Sequence, residues 1–298
     1  MTAELREQLG RISRATVQRR LDRLRQDTPR LPRRGPEAAN QVARTLPMGR
    51  LAWDTAEPGH FEVDLVHHSG PIASGDYVHT LQMVDIATGW SERVAILGRG
   101  QRAMEQGFVA ILARLPFPIE HLHPDNGSEF LNHHLVRYWG QAIVDVQLSR
   151  SRPFHKNDNR FIEPKNDSLV RAYLGHARLD TPTQAEALNT LYDNMWAYYN
   201  LFQPVLHLVE KQVVPEACGG RGRLRRKWDA ARPPYRRLLE TGALAADEQE
   251  RLTTLQRTTN PRALRRQIYQ AIPQLWSLVS PRERADVRTA TKDMDIAG

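Results

Sequence analysis

Three short segments between residues 61 and 97 constrain this chain most. Phe61-Glu62-Val63-Asp64-Leu65-Val66 alternates apolar and polar residues, the period of a half-buried strand. A second strand is expected over Tyr77 to Val84, after a turn rich in small residues (Ser69, Gly70, Gly75), and a third over Ser91 to Leu97, after Thr88-Gly89. Strands this close together pair as an antiparallel meander. The period then changes. Met104, Phe108, Ile111 and Leu112 share one helical face within a helix expected from about Gln101 to Leu115. Pro118 to Leu122 reads as a buried fourth strand. A helix is expected from about Ser128, its N-cap, to Gly140, and Val144 to Leu148 as a fifth strand. Ser149 to Asn159 is a polar, basic loop. Helices follow from Glu163 to about Leu174 and from Thr183 to Phe202, the second turning Leu188, Leu191, Tyr192, Met195, Trp196 and Tyr199 inward.

Three antiparallel strands, helix, strand, helix, strand and helices is the order of a ribonuclease-H-like α/β domain, a mixed five-stranded sheet with flanking helices. Within that order, Asp64 lies in the first strand. Asp125 falls where the fourth ends, before the tight-turn dipeptide Asn126-Gly127. If strands one and four are neighbours, both carboxylates point into one site. Glu163, 38 positions after Asp125 at a helix start, is the candidate third member. Asp85, before the Thr-Gly turn, reads as structural. So do the histidines, in the absence of cysteine ligands or a His-Glu-x-x-His helix. His123, two residues before Asp125, is a further candidate substrate contact. Trp53, Trp90, Trp139 and Trp196 are expected in the core.

Net charge is +8 over 298 residues, and its distribution is uneven. Lys and Arg against Asp and Glu number 12 and 5 in residues 1–50, 12 and 19 in 51–210, and 18 and 10 in 211–298, for nets of +7, −7 and +8. Basic ends suit a polyanion, and an acidic middle suits a cation site. The only cysteine is Cys218, which excludes a disulfide framework. No apolar run reaches eighteen residues and the first residues are charged, so no membrane partner is expected and the expected location is cytoplasmic.

Near the start, Leu5 and Leu9 share a helical face, Gly10-Arg11-Ile12 turns, and Ser13 can cap a helix with Ala15, Val17, Leu21 and Leu24 in one stripe. Arg14, Arg19, Arg20, Arg23 and Arg25 lie off it. This reads as a partial helix-turn-helix, without the upstream helix that a three-helix DNA-binding unit would have. A Pro/Arg linker, Thr28 to Pro36, closes it. The expected organisation is a DNA-binding segment with linker (1–36), an approach segment (37–55), the catalytic core (56–210) and a basic, mainly helical C-terminal region (211–298). The last contains a candidate hairpin in Gly219–Trp228, helices over Leu238–Ala245, Glu248–Leu255 and Pro261–Ile272, and Trp276 and Leu278 packing back. Around the site, Arg150, Arg152, Lys156 and Lys165 are the candidate DNA-backbone contacts.

The segment Pro58 to Lys211 resembles the catalytic core of bacterial insertion-sequence transposases of the retroviral-integrase type, the DDE recombinases. The matching pieces are Phe61-Glu62-Val63-Asp64, Met83 to Trp90, His123-Pro124-Asp125-Asn126-Gly127-Ser128-Glu129-Phe130, Ser149 to Pro153, Lys156 to Asn159, Glu163-Pro164-Lys165-Asn166 and Tyr199 to Pro204. The likeness continues through Arg226 to Asp229, Pro234 to Leu239 and Asn260 to Ile268. The resemblance implies that Asp64, Asp125 and Glu163 hold two Mg²⁺ (or Mn²⁺) ions for DNA cleavage and strand transfer. It also implies double-stranded DNA as partner, and at least a dimer to hold two element ends. Arg160, Phe161 and Pro164 depart from the family pattern around Glu163. That departure, with the partial N-terminal unit, keeps open a catalytically inactive DNA-binding remnant or regulator, and the fold itself leaves open a ribonuclease-H-like nuclease that only hydrolyses.

Overall fold

The computed structural model describes residues 7, 10, 12–27, 42, 45–52, 54–127, 129–143, 145–152, 155–214 and 223–279. Leu5, Leu9, the Pro/Arg linker, Trp53, Ser128 and Val144 lie outside them. Two compact units are present, residues 1–38 and 39–298.

In the first unit, helix α1 runs Arg14–Asp27. Ser13 starts it as expected: its carbonyl accepts from Thr16 and Val17, and its hydroxyl accepts from the Thr16 N–H at 3.2 Å. The apolar stripe is not covered. Val17, Leu21 and Leu24 are 39%, 42% and 64% exposed.

The second unit is built on a five-stranded sheet. Its strands are β2 (His60–His67), β3 (Val78–Asp85), β4 (Ser91–Leu97), β5 (His121–Pro124) and β6 (Gln147–Leu148). Their order is β4-β3-β2-β5-β6. β2, β3 and β4 pair antiparallel, and β5 and β6 run parallel to β2. This is the expected ribonuclease-H-like arrangement. Two parallel two-residue strands, β1 (Met48–Gly49) and β7 (Arg150–Ser151), tether the approach segment to the basic loop.

Strand alternation sends residues to two separate cores. Phe61, Val63, Leu65, Leu81, Met83, Val94 and Ile96 join one cluster with α2 (Gln101–Leu112) and α3 (His133–Ala142). Val66, Val78 and Ala95 join the other, with α6 (Pro182–Leu201). A full capping box, Thr181 with Gln184, and Pro182 in the first turn begin α6. Between β7 and α6 the expected helix is present, as α4 (Ile162–Asn166) continuing without a break through a π-helical turn over Asp167–Arg171 into α5 (Ala172–Leu174).

Several expectations need correction. The helix after β5 starts at His133, because Asn132, rather than Ser128, accepts the Leu135 N–H at 2.9 Å. The C-terminal hairpin is longer than expected. β8 (Leu208–Val214) pairs with β9 (Arg223–Trp228), so it begins before the Gly/Arg segment. The helices α7 (Pro234–Thr241), α8 (Ala246–Thr258) and α9 (Pro261–Ser277) do not form a separate tail. Tyr235, Leu238 and Leu252 enter the first core cluster, while Ile268 and Leu275 enter the second. Leu278 is 42% exposed, and Leu275 and Val279 are buried in its stead. Among the described residues, no helix is long and apolar enough to cross a membrane.

Glu92 on β4 joins three elements. It is fully buried and accepts from Trp90 Nε1 (2.8 Å), Trp196 Nε1 of α6 (2.7 Å) and Arg114 Nε just beyond α2 (2.6 Å). Removing one partner of a buried ion pair leaves the other charge and two indole N–H donors unmatched. Glu92→Ala is expected to lower the unfolding free energy by about 3 kcal/mol, measured by urea denaturation. A loss below about 0.5 kcal/mol, the size of an ordinary surface substitution, would contradict this account.

Candidate active site

Parallel pairing of β2 with β5 brings the two aspartates together. Glu62 pairs with His123 and Val63 with Pro124, so Asp64 and Asp125 follow as the next positions on adjacent strands. By alternation, Glu62, Asp64, His123 and Asp125 share one face, away from Phe61, Val63 and Leu122. Asp64 is clamped on both oxygens. Oδ1 accepts the Leu65 N–H at 2.8 Å, and Oδ2 accepts Asn166 Nδ2 at 2.5 Å. Asp125 Oδ1 accepts the Gly127 N–H at 2.8 Å.

Both carboxyls titrate above their ordinary range. Burial raises Asp64 most, opposed by its two hydrogen bonds, and the charge of Glu129 adds to the rise. Burial pushes Asp125 up to about 6, and the charges of Asp64 and Glu129 contribute. The aspartates therefore repel each other through a poorly solvated space.

Glu129 was not singled out by sequence reasoning. Its carboxylate stands beside Asp125 at Gly127. A Cβ on that glycine would lie 2.7 Å from Glu129 Oε1 and 2.9 Å from Asp125 Oδ1. The two carboxylates thus pack so closely on Gly127 that any side chain there would displace one of them, and Arg99 pairs with Glu129 at 3.4 Å. Asn166 was quoted only as part of a motif, yet it is the residue of α4 that reaches Asp64.

Glu62 was also missed. Its buried carboxylate accepts the N–H groups of Phe161 (2.8 Å) and Ile162 (2.9 Å), the start of α4. It therefore acts as a cap supplied by the sheet. Burial raises its pKa to about 7, while those two N–H groups and Arg160 pull it down. The available signal was parity: Glu62 is two residues from Asp64 in a strand, so it had to face the same side.

Glu163 is exposed in the first turn of α4, and its charge acts on Glu62. Among the described residues, no three His, Cys, Asp or Glu side chains group closely enough to hold a metal ion. The donors that do converge suit a hard divalent cation in kind: two repelling carboxylates, with Asn166 Oδ1 buried and without a hydrogen-bond partner beside Asp64.

The basic residues expected around the site have varied surroundings. Arg150 is buried and donates to Asn126 Oδ1 at 2.6 Å, while Asn126 Nδ2 donates to the Ser151 carbonyl at 2.7 Å. This pair holds the loop after Asp125. Arg152 forks onto Asp158 at 2.9 and 2.7 Å, which holds that carboxyl down at about 2. Burial and the nearby Arg93 lower Lys165 to about 8. The Lys156 side chain lies outside the described set. Arg14, Arg19, Arg20 and Arg23 lie on α1 in the other unit. His123 is fully buried between Ser149 Oγ (2.7 Å) and Ser151 Oγ (3.3 Å), so it braces β5 and is not a substrate contact. Asp85 is structural as expected. It accepts from Gly59 N, Thr88 N and Thr88 Oγ1 at 2.6 to 2.9 Å.

No family model matches the chain. The uncharacterized protein y4rM of Sinorhizobium fredii (strain NBRC 101917 / NGR234) is 36% identical over 212 residues, which are 71% of this chain and 60% of that protein. The present chain thus matches less than two thirds of its relative's length. Among solved structures, the catalytic core domain of BIV integrase is similar at a TM-score of 0.39 with 15% identity, over 62% of this chain and 95% of that one.

The raised pKa of Asp125 predicts a pH signature. Its folded-state value of about 6 exceeds the ordinary 3.8, so the native state holds this proton more tightly than the unfolded chain. Stability is then lost as pH rises from about 4 through about 6. Asp125→Asn removes that loss. Relative to wild type, it is expected to gain roughly 2 to 3 kcal/mol between pH 4 and 7.5, since each tenfold change in proton affinity is worth about 1.4 kcal/mol, measured by urea unfolding at both pH values. A difference independent of pH would contradict the assigned burial.

Proposed function

We propose that the chain is a DDE-type polynucleotidyl transferase, a transposase that cleaves DNA and transfers the cut strand. The observation that carries this reading is the Asp64–Asp125 pair on adjacent parallel strands of a ribonuclease-H-like sheet. Asp64, Asp125 and Glu163 are the proposed metal-binding carboxylates. Divalent ions bound there would supply charge stabilisation of the phosphoryl oxygens and a lowered pKa for the attacking hydroxyl. The protein's part is positioning. Asn166 and the Leu65 N–H hold Asp64 in one orientation, and the Gly127 N–H holds Asp125. The missing side chain at Gly127 leaves Asp125 and Glu129 undisplaced. The basic α1 and the basic C-terminal region would supply sequence-independent contacts to phosphates. Joining two element ends requires at least a dimer on DNA.

A second reading, a DNA-binding protein without catalysis, has one observation in its favour. Glu163 does not group with the two aspartates among the described residues.

The test is cleavage and joining of labelled duplex carrying the element end, with Mg²⁺ or Mn²⁺. Wild type is expected to give nicks ending in a 3′-hydroxyl, and then joined products. Asp125→Asn should lower the rate by roughly a thousandfold, matching the several kcal/mol a metal contributes. Glu163→Gln should do likewise while duplex affinity stays within about twofold, since a lost ligand acts on the transition state and not on binding. Full activity of Asp125→Asn would overturn the mechanism, and absence of any cleavage by wild type would favour the second reading.

A further inference from the structure

A slot beside α4 has no role in the site described above. It has a volume of about 280 Å³ and lies between the first turn of α4, the end of β3 and the chain entering the β8–β9 hairpin. Its walls are predominantly apolar: Val84, Phe161, Pro164, Leu206, Leu208 and Trp228. Leu206 and Trp228 are 54% and 50% exposed, so two large apolar side chains stand at its mouth. Gly89, whose φ of +74° favours glycine, turns the chain beside Val205 and His207 of this segment.

Apolar walls alone would not identify an occupant, but the charges on the lining do. Arg160, Lys165 and Lys211 line the same slot. Arg160 stacks its guanidinium 5.0 Å above the Phe161 ring, and its Nη2 is buried without a hydrogen-bond partner. Arg160, Arg50 and Arg226 bear on Lys211 with Asp54 opposing them, so cations outnumber carboxylates at this edge. Such a cluster is stabilised by an anion of similar extent. The occupant should therefore be planar and apolar in one part and anionic in the next. A nucleotide of a DNA strand has this form, its base between the apolar walls and its phosphate on Arg160 and Lys211.

Position supports the same occupant. Arg160, Phe161, Pro164 and Lys165 line the slot, and Glu163 lies between them in sequence on the same turn. A strand engaged at the carboxylates would pass this mouth within a few nucleotides. Paired bases remain stacked inside the duplex, so only an unpaired one can enter. We propose that this slot binds one unpaired nucleobase of the DNA strand engaged at the active site and thereby favours ends with unpaired terminal nucleotides. This rests on the reading of the chain as a DNA-processing protein.

The test uses the full chain and fluorescence anisotropy without divalent metal, so that no strand is cut. Three labelled duplexes of equal paired length are compared: blunt, with two unpaired terminal nucleotides, and with the same overhang made abasic. The overhang is expected to bind about 5- to 150-fold tighter than the blunt end, the range that corresponds to loss of one base–aromatic stack, and the abasic overhang to lose most of that gain. Trp228→Ala and Leu206→Ser, both at exposed positions, should abolish the preference while leaving blunt-end affinity within about twofold. Lys211→Ala should weaken all three duplexes and reduce the salt slope by about 1. Equal binding of all three duplexes by wild type, equal binding of the intact and abasic overhangs, or an unchanged preference in both slot variants would overturn the slot alone. Failure of wild type to bind any of the three would remove the DNA reading and the slot with it.

Discussion

The structure depends on one pairing, that of β2 with β5. It is parallel, so it cannot be closed by a tight turn and needs the intervening meander and α2 as its crossover. It is also short, running from His60–His121 to Val63–Pro124, and the aspartates stand immediately beyond its last pair. Hydrophobic burial on the opposite face holds the two strands together, with Phe61, Val63 and Leu122 in one core. The repulsion of Asp64 and Asp125 is thus borne by a sheet whose other side is closely packed. Burial and like charge raise both carboxyl pKa values, and a cation bound between them, as proposed above, would reverse both effects.

The second support is the grip of the sheet on α4. Glu62 accepts the first N–H groups of α4, and Asn166, one turn on, reaches Asp64. Both anchors are carboxylates of β2, so the start of this helix is ordered by the strand it lies over. That ties Glu163 to the sheet, and it orders the wall of the adjoining slot.

Much of this was legible in the sequence because it rests on period and turn chemistry. Alternation in Phe61–Val66 and the turns that bound Tyr77–Val84 and Ser91–Leu97 point to the meander. The position of Asp125 after an apolar run gave its place at a strand end. What was not legible depended on partners far away in sequence. Arg150 and Arg152 look like free cations in a basic loop, but Asn126 and Asp158 engage them. The start of α3 was misjudged because Asn132 and Ser128 are both good caps, and only packing of Leu135 and Trp139 chooses between them. The C-terminal helices looked like a tail because their apolar stripes, Tyr235 with Leu238 and Leu264 with Ile268, do not reveal which surface they cover. Glu129 could not be recognised as a neighbour of Asp125 without the conformation of the loop between them.

We propose that Asp64 and Asp125 together form a cation site. The most direct measurement is Mn²⁺ binding to the isolated protein, followed by electron paramagnetic resonance between pH 5 and 8. The account predicts saturable binding that strengthens as pH rises through about 6, where Asp125 releases its proton, and that is lost in Asp64→Asn and Asp125→Asn. Binding of equal strength in wild type and both variants would contradict it.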